Sequence, residues 1–268
     1  MDKPSSVYPL RPEPQAARGS EAMDGAHQIR GQRVRNITAK DGAREFVRAL
    51  ACVQFDNVFN PYADACPIWD LAEAALVRRR NLELVLTAAL SDGVDSIWIA
   101  RDLGYLGGRR TGLALTDDVH LRCHSELFGT PPLSRATSGP AVSERTAAVV
   151  WRSLRSIGRP IFLWNVFPLH PHQPGQPMSN RCHTRAERDR CIPLLLWLIR
   201  VLNPKDVVAI GRDSQVALAR LGVNAIAVRH PSYGGQTQFL RDLAVHYGVP
   251  VESRPGRKLT SGFEVQAR

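Results

Sequence analysis

The 268-residue sequence has little of what marks several large protein classes. Its longest apolar run, at 192–199, is about eight residues, against the ~20 that a transmembrane helix needs. Residues 1–30 hold no apolar leader segment, only Pro, Ala, Gly, Ser and scattered charge. A soluble, cytoplasmic protein without a membrane partner is expected. Cysteine is sparse: Cys52, Cys66, Cys123, Cys182 and Cys191 form no CxxC pair and are odd in number. That pattern argues against a disulfide framework and against a zinc ribbon. Lysine is sparser still, with only Lys3, Lys40, Lys205 and Lys258. Neither a Walker A loop nor the GxGxxG spacing of a dinucleotide fold is present.

Positive charge is abundant. Lys and Arg total 35 against 25 Asp and Glu, a formal +10, with a sequence pI near 9.9. Such a balance suits a polyanionic partner, nucleic acid being the commonest. It also suits an arginine-rich composition with no partner implied. Distribution favours the first reading: residues 151–200 hold eight Arg against Glu187 and Asp189, a local +6. A merely solvated surface intersperses both signs.

Three regions follow from the pattern. Residues 1–40 lack apolar periodicity and read as a flexible basic arm, and 251–268 as a basic tail. Residues 41–250 read as one domain. Within it, apolar residues at helical spacing predict helices over 43–53, 81–90, 143–157 (with Ser143 as N-cap and Glu144 in the first turn), 184–201, 213–221 and 237–246. Short apolar runs predict strands at 96–100, 160–166, 206–211 and 224–229. Strands alternating with helices at this spacing mean parallel βαβ units: an α/β fold with a central four-stranded parallel sheet covered by helices on both faces. Ligands of such sheets bind beyond the carboxyl ends of the strands. Three segments follow those ends, 101–117, 165–180 and 230–236, and should meet on one rim.

Each segment carries candidates. In ARDLGYLGGRRTGLALTD, Asp102 lies just past the strand, where a carboxylate faces a pocket or simply forms a turn. Its neighbours Gly104, Gly107 and Gly108 let the backbone approach a ligand closely. In LWNVFPLHPHQP, Asn165 offers a donor and an acceptor suited to a base edge, or closes the strand as an Asx turn. The histidines 170, 172 and 183 lack standard metal-ligand spacing, so no metal is expected. In RHPSYGGQTQF, His230 ends a strand, Ser232 offers a hydroxyl to phosphate, and Tyr233 or Gln236 can project into DNA.

These motifs, in this order, resemble the uracil-DNA glycosylase superfamily over most of 45–247. The segment from Ala100 resembles the family's first motif, Gly-Gln-Asp-Pro-Tyr-His in its best-known members, which places Asp102 on the catalytic aspartate. A Gly-Gly-Asn-Arg-Thr-Gly stretch of the iron–sulfur branches is close to 107–112. LWNV is similar to the strand that carries the uracil-reading asparagine, here Asn165. RHPS is similar to the second motif, placing His230 as the catalytic histidine. Departures mark a divergent branch: Leu103 replaces the proline, Gly104 the tyrosine that screens out thymine, and Leu115 the phenylalanine on which uracil stacks. Only Cys191 matches a cluster cysteine, Leu169 taking its near partner's place, so neither an iron–sulfur cluster nor another cofactor is expected.

The resemblance implies a monomeric enzyme that flips uracil, and other deaminated or modified bases, out of single- or double-stranded DNA and hydrolyses the N-glycosidic bond. Leu103, Gly104, Tyr105, Leu115 and Asn165 would line the base pocket. Gly107, Arg109, Arg110, Ser232, Tyr233 and Gln236 would hold DNA. Lyase chemistry needs a Schiff-base lysine, and none falls on the rim, so a monofunctional enzyme is implied. A non-catalytic DNA-binding module of the same fold and a nucleotide-binding α/β protein are the alternatives.

Overall fold

The computed structural model describes residues 42–250, which lie in one compact unit. The expected basic arm and tail lie outside the described residues. In chain order the elements are α1 (Ala43–Ala51), β1 (Val58–Phe59), α2 (Ala74–Asp92), β2 (Ser96–Asp102), α3 (Gly108–Thr111), α4 (Leu121–Phe128) and α5 (Arg145–Ile157). There follow β3 (Ile161–Phe167), β4 (His170–Pro171), α6 (Arg185–Leu202), β5 (Asp206–Ile210), α7 (Arg212–Arg220), β6 (Ile226–Val228) and α8 (Gln236–Tyr247).

Four strands form the expected parallel sheet, in the order β3-β2-β5-β6. Ser96 pairs in register with Ile161 and with Asp206, so the carboxyl ends line up on one edge. The pair β1 and β4, antiparallel and two residues each, was not legible in the sequence. On one face α1, α2, α6 and α7 bury Phe46, Leu86, Trp197 and Leu218 against Ile99, Phe162 and Trp164. Phe46 stacks on Trp197 at 5.0 Å. On the other face α5 and α8 bury Trp151, Leu154, Phe239 and Leu243 against Trp98, Leu163 and Val208. Each such side chain, fully buried, stabilises the fold by about 1.5–3 kcal/mol, and two such layers make the sheet the rigid floor of whatever its rim binds.

Several expectations need correction. Helix α2 begins at Ala74 rather than at residue 81, and α4 adds a helix where none was expected. The N-cap of α5 is Glu144, not Ser143, and it makes no side-chain cap bond. Asn165 does not end its strand; β3 runs on to Phe167. By contrast, α6 opens with the capping box its sequence suggests. Thr184 accepts from the Glu187 backbone amide at 3.2 Å, and Glu187 accepts from that of Thr184 at 2.6 Å. No helix among the described residues is long and apolar enough to cross a membrane.

Candidate active site

A cavity of about 520 Å³ opens at the carboxyl rim of the sheet, a size suited to a small organic ligand. The end of β2 supplies Ala100 to Gly104, and Leu115 forms part of the wall. The turn after β5 contributes Gly211 to Asp213, and the loop after β6 His230, Ser232 and Tyr233. Asn180, the last residue of the expected 165–180 segment, lines it with Arg181 and Cys182 just beyond, and Glu144 and Thr146 at the start of α5, not anticipated, complete it.

Asp102 is almost fully buried at its carboxylate, and both oxygens are engaged. Oδ2 accepts from Arg101 Nε at 2.6 Å, while Oδ1 bonds His183 Nδ1. Arg101 is anchored in turn by Asp213 at 2.8 Å. His183 precedes the Thr184 cap and packs on Phe167, with ring centres 5.6 Å apart. Arg181, which binds Glu187 at 2.6 and 2.9 Å, fixes the same turn. The capping box of α6 thus sets where His183 stands, and His183 helps set where the Asp102 carboxylate points.

His230 Nδ1 accepts from the Ser232 backbone amide at 3.2 Å and lies 2.7 Å from Ser232 Oγ. A ring nitrogen that accepts carries no proton, so the neutral ring holds its proton on Nε2. Burial, helped by the Arg101 charge and opposed by Asp213, keeps the His230 pKa below the usual histidine value. The loop leaves no slack: a Cβ on Gly235 would lie 2.0 Å from the His230 carbonyl oxygen. Tyr233, at φ +51°, is 98% exposed at the loop's tip.

Asn165 is buried beside the cavity rather than on its wall. It pairs in register with Ala100, which does line the cavity, so the two side chains share a sheet face. Both Oδ1 and Nδ2 are buried without a hydrogen-bond partner. Leu115 faces the cavity with a φ of +53°, a conformation rare for a branched residue and more frequent at functional sites.

Five expected contacts take other roles. Arg109 and Arg110 are buried, not on the rim. Arg110 bonds Asp118 and Thr137, each at 2.9 Å, and Arg109 lies over the Phe59 ring at 3.9 Å. Their partners lie inside the domain, so the short α3 turns both side chains inward, away from any DNA. Gly107 is buried too, beneath Glu144. Tyr105 does not line the cavity; its amide donates to Asn180 Oδ1 at 3.1 Å. Gln236 is likewise off the wall, at the first turn of α8. Of the histidines weighed as metal ligands, His170 and His172 lie together, but His183 is bound to Asp102. Among the described residues, no group of three or more His, Cys, Asp or Glu is placed to hold a metal ion.

Glu144, which the sequence suggested only as a helix-start residue, lines the cavity. Its backbone N–H donates to Asp117 Oδ2 at 2.6 Å, and burial with the Asp117 charge pushes its carboxyl up to about 7.

Residues 124–244 match the family model described as "Uracil DNA glycosylase superfamily". Over that stretch the chain is similar to members of that superfamily. The matched stretch takes in Asn165 and the loop of His230, while the Asp102 segment lies before it. Among solved structures, the chain resembles wild-type SMUG2 of Pedobacter heparinus, with a TM-score of 0.51 and 12% identity over 77% of this chain and 95% of that one. At that identity the likeness concerns the fold: a four-stranded parallel sheet between helices. No curated protein matches the sequence. Members of the uracil-DNA glycosylase superfamily act on DNA as N-glycosyl hydrolases.

Proposed function

We propose that this protein is a monofunctional DNA glycosylase. It flips uracil, and other deaminated or modified bases, from single- or double-stranded DNA and hydrolyses the N-glycosidic bond, acting as a monomer. The observation that carries this reading is the meeting of three groups at one rim: the Asp102 carboxylate, a neutral His230 with Nε2–H free, and the unsatisfied amide of Asn165 beside the cavity floor.

The roles follow from charge. Cleavage builds positive charge on the sugar and negative charge on the departing base. Asp102, steadied by His183 and Arg101, faces the first and orients the attacking water. Nε2–H of His230 donates to the base O2 as negative charge grows there. Asn165 donates to O4 and accepts from N3–H, which satisfies its buried amide. The exposed Tyr233 ring enters the stack that the flipped base leaves, and Ser232 with the neighbouring loop amides holds phosphate. Arg101, Arg181 and Arg212 supply positive charge at the mouth. Lys205, the one lysine in 42–250, bonds Asp95 at the opposite end of the sheet at 3.2 Å, so among the described residues no lysine stands at the rim for Schiff-base chemistry.

Base release from single- and double-stranded oligonucleotides carrying one uracil is the test. The wild type should leave alkali-labile abasic sites without cutting the strand itself. Asp102→Asn should slow release by about 10²-fold or more while DNA affinity stays nearly constant. DNA binding without release by the wild type would favour the non-catalytic module instead.

A further inference from the structure

We propose that Glu144 is a specificity-determining residue of the base pocket, its carboxyl group filling the space over Gly104 and Gly107 and meeting the edge of the flipped base. The inference rests on the glycosylase reading above.

The missing side chain at position 104 suggests an open wall, with Tyr105 the natural candidate to swing in. The structure puts a different group there. A Cβ on Gly107 would stand 2.3 Å from Glu144 Oε2, and one on Gly104 3.3 Å from Oε1. Gly107 therefore leaves room for the carboxyl where it sits, and a side chain at 104 would press on it. Tyr105 meanwhile is held by Asn180 and does not line the cavity. Glu144 occupies the N-cap position of α5, yet its side chain does not cap the helix. Among the described residues neither oxygen has a hydrogen-bond partner, while the backbone amide is pinned to Asp117. A carboxyl at a cavity wall with no hydrogen-bond partner among the described residues is available to a ligand.

The groups facing it decide its charge. Asp117, from the segment after α3, is the nearest anion, itself bonded to His120 Nδ1 at 2.6 Å. Across the cavity stand Asp102 and Arg101 from β2, Arg181 before α6, Arg212 and Asp213 at α7, and His230 after β6. Burial and Asp117 together hold the carboxyl at about 7. Near neutral pH it is therefore shared between two forms. As an acid it offers an O–H to a base carbonyl and accepts through its other oxygen. Ionised, it can only accept, and its charge opposes the anion that forms on the departing base. Keto-edged bases such as uracil and hypoxanthine should be released faster as the pH falls through 7, and a C5 substituent on uracil should meet a polar wall.

The test is single-turnover release by the full-length protein, between pH 5.5 and 8.5, from oligonucleotides carrying uracil, hypoxanthine or a 5-substituted uracil. For uracil, the wild-type rate should fall through a midpoint near 7. Glu144→Gln, whose amide keeps a donor and does not titrate, should flatten that profile. Glu144→Ala should change the ratio of uracil to 5-substituted uracil release by about tenfold, the scale of one pocket contact. A melting curve at pH 7 for each variant separates misfolding from lost recognition. If both variants fold and keep the wild-type profile and base ratio, Glu144 does not determine specificity and the inference fails alone. If the wild type releases no base from any substrate, the glycosylase reading fails and carries this inference with it.

Discussion

Asn165 holds two polar atoms in the sheet with nothing to bond them. Each such atom lowers stability by about 1–3 kcal/mol relative to a satisfied one. A residue kept for folding alone would be apolar at this position, between Leu163 and Phe167 on β3. Replacing the amide with an apolar side chain of similar size, Asn165→Leu, should therefore raise the melting temperature while cutting uracil release by about 10²-fold or more. Calorimetry beside the release assay checks both, and a lower melting temperature would mean that the amide is satisfied in the native protein. At this scale the sequence was only partly legible. Asp102 and His230 stood out after apolar runs only as candidates, since a loop Asp also forms turns, and Asn165 lies inside β3 rather than at its end. Arg109 and Arg110 misled because paired arginines beside glycines look solvent-facing. Their partners, Asp118 and Thr137, stand in the sequence, but nothing in it brings them close. Glu144 was hidden for the same reason.

The elements were easier to read than their ends. A parallel strand buries both faces, so SIWIA and IFLWNV stand out as continuous apolar runs bounded by polar residues. Helix α4 did not stand out, since LRCHSELF sets polar residues among its few apolar ones, and its histidine His124 is buried. The loop after β6 is the element on which the proposed chemistry depends most. His230 points into the cavity because the chain folds back so closely that residue 235 can have no side chain. Gly235→Ala would push a methyl to within 2.0 Å of the His230 carbonyl oxygen, so the loop must move. Release should then fall by about 10²-fold. Gly234→Ala is the comparison: it has open space, and its φ of +76° brings only local strain. Equal release by Gly235→Ala and the wild type would show that the loop does not need the geometry described here.

The whole molecule carries its acid sensitivity in a few buried groups. Burial lowers His124 from 6.5 to about 3. It also lowers His170 to about 4, with the Arg109 charge assisting and the Leu103 carbonyl opposing. Unfolding exposes both rings, which then take up protons below about pH 6.5, so the unfolded state binds more protons and stability falls as the pH falls. Glu144 works the other way. Its folded value of about 7 exceeds the 4.5 of an ordinary glutamate, so between those limits the folded state holds the extra proton. Near pH 5.5 the two histidines each favour unfolding by nearly one proton, and Glu144 cancels nearly one of them. Each uncompensated proton is worth about 1.4 kcal/mol per pH unit. The wild type should therefore lose at least that much stability per unit between pH 6 and 5, since His230, also held below the usual histidine value, adds in the same direction. Glu144→Gln removes the offset, so its slope should be steeper than the wild type's by about 1.4 kcal/mol per pH unit. Denaturant unfolding of both proteins at pH 5, 5.5 and 6 measures the two slopes. Parallel slopes would place the Glu144 proton outside this range and return the carboxyl to the ordinary ionised state.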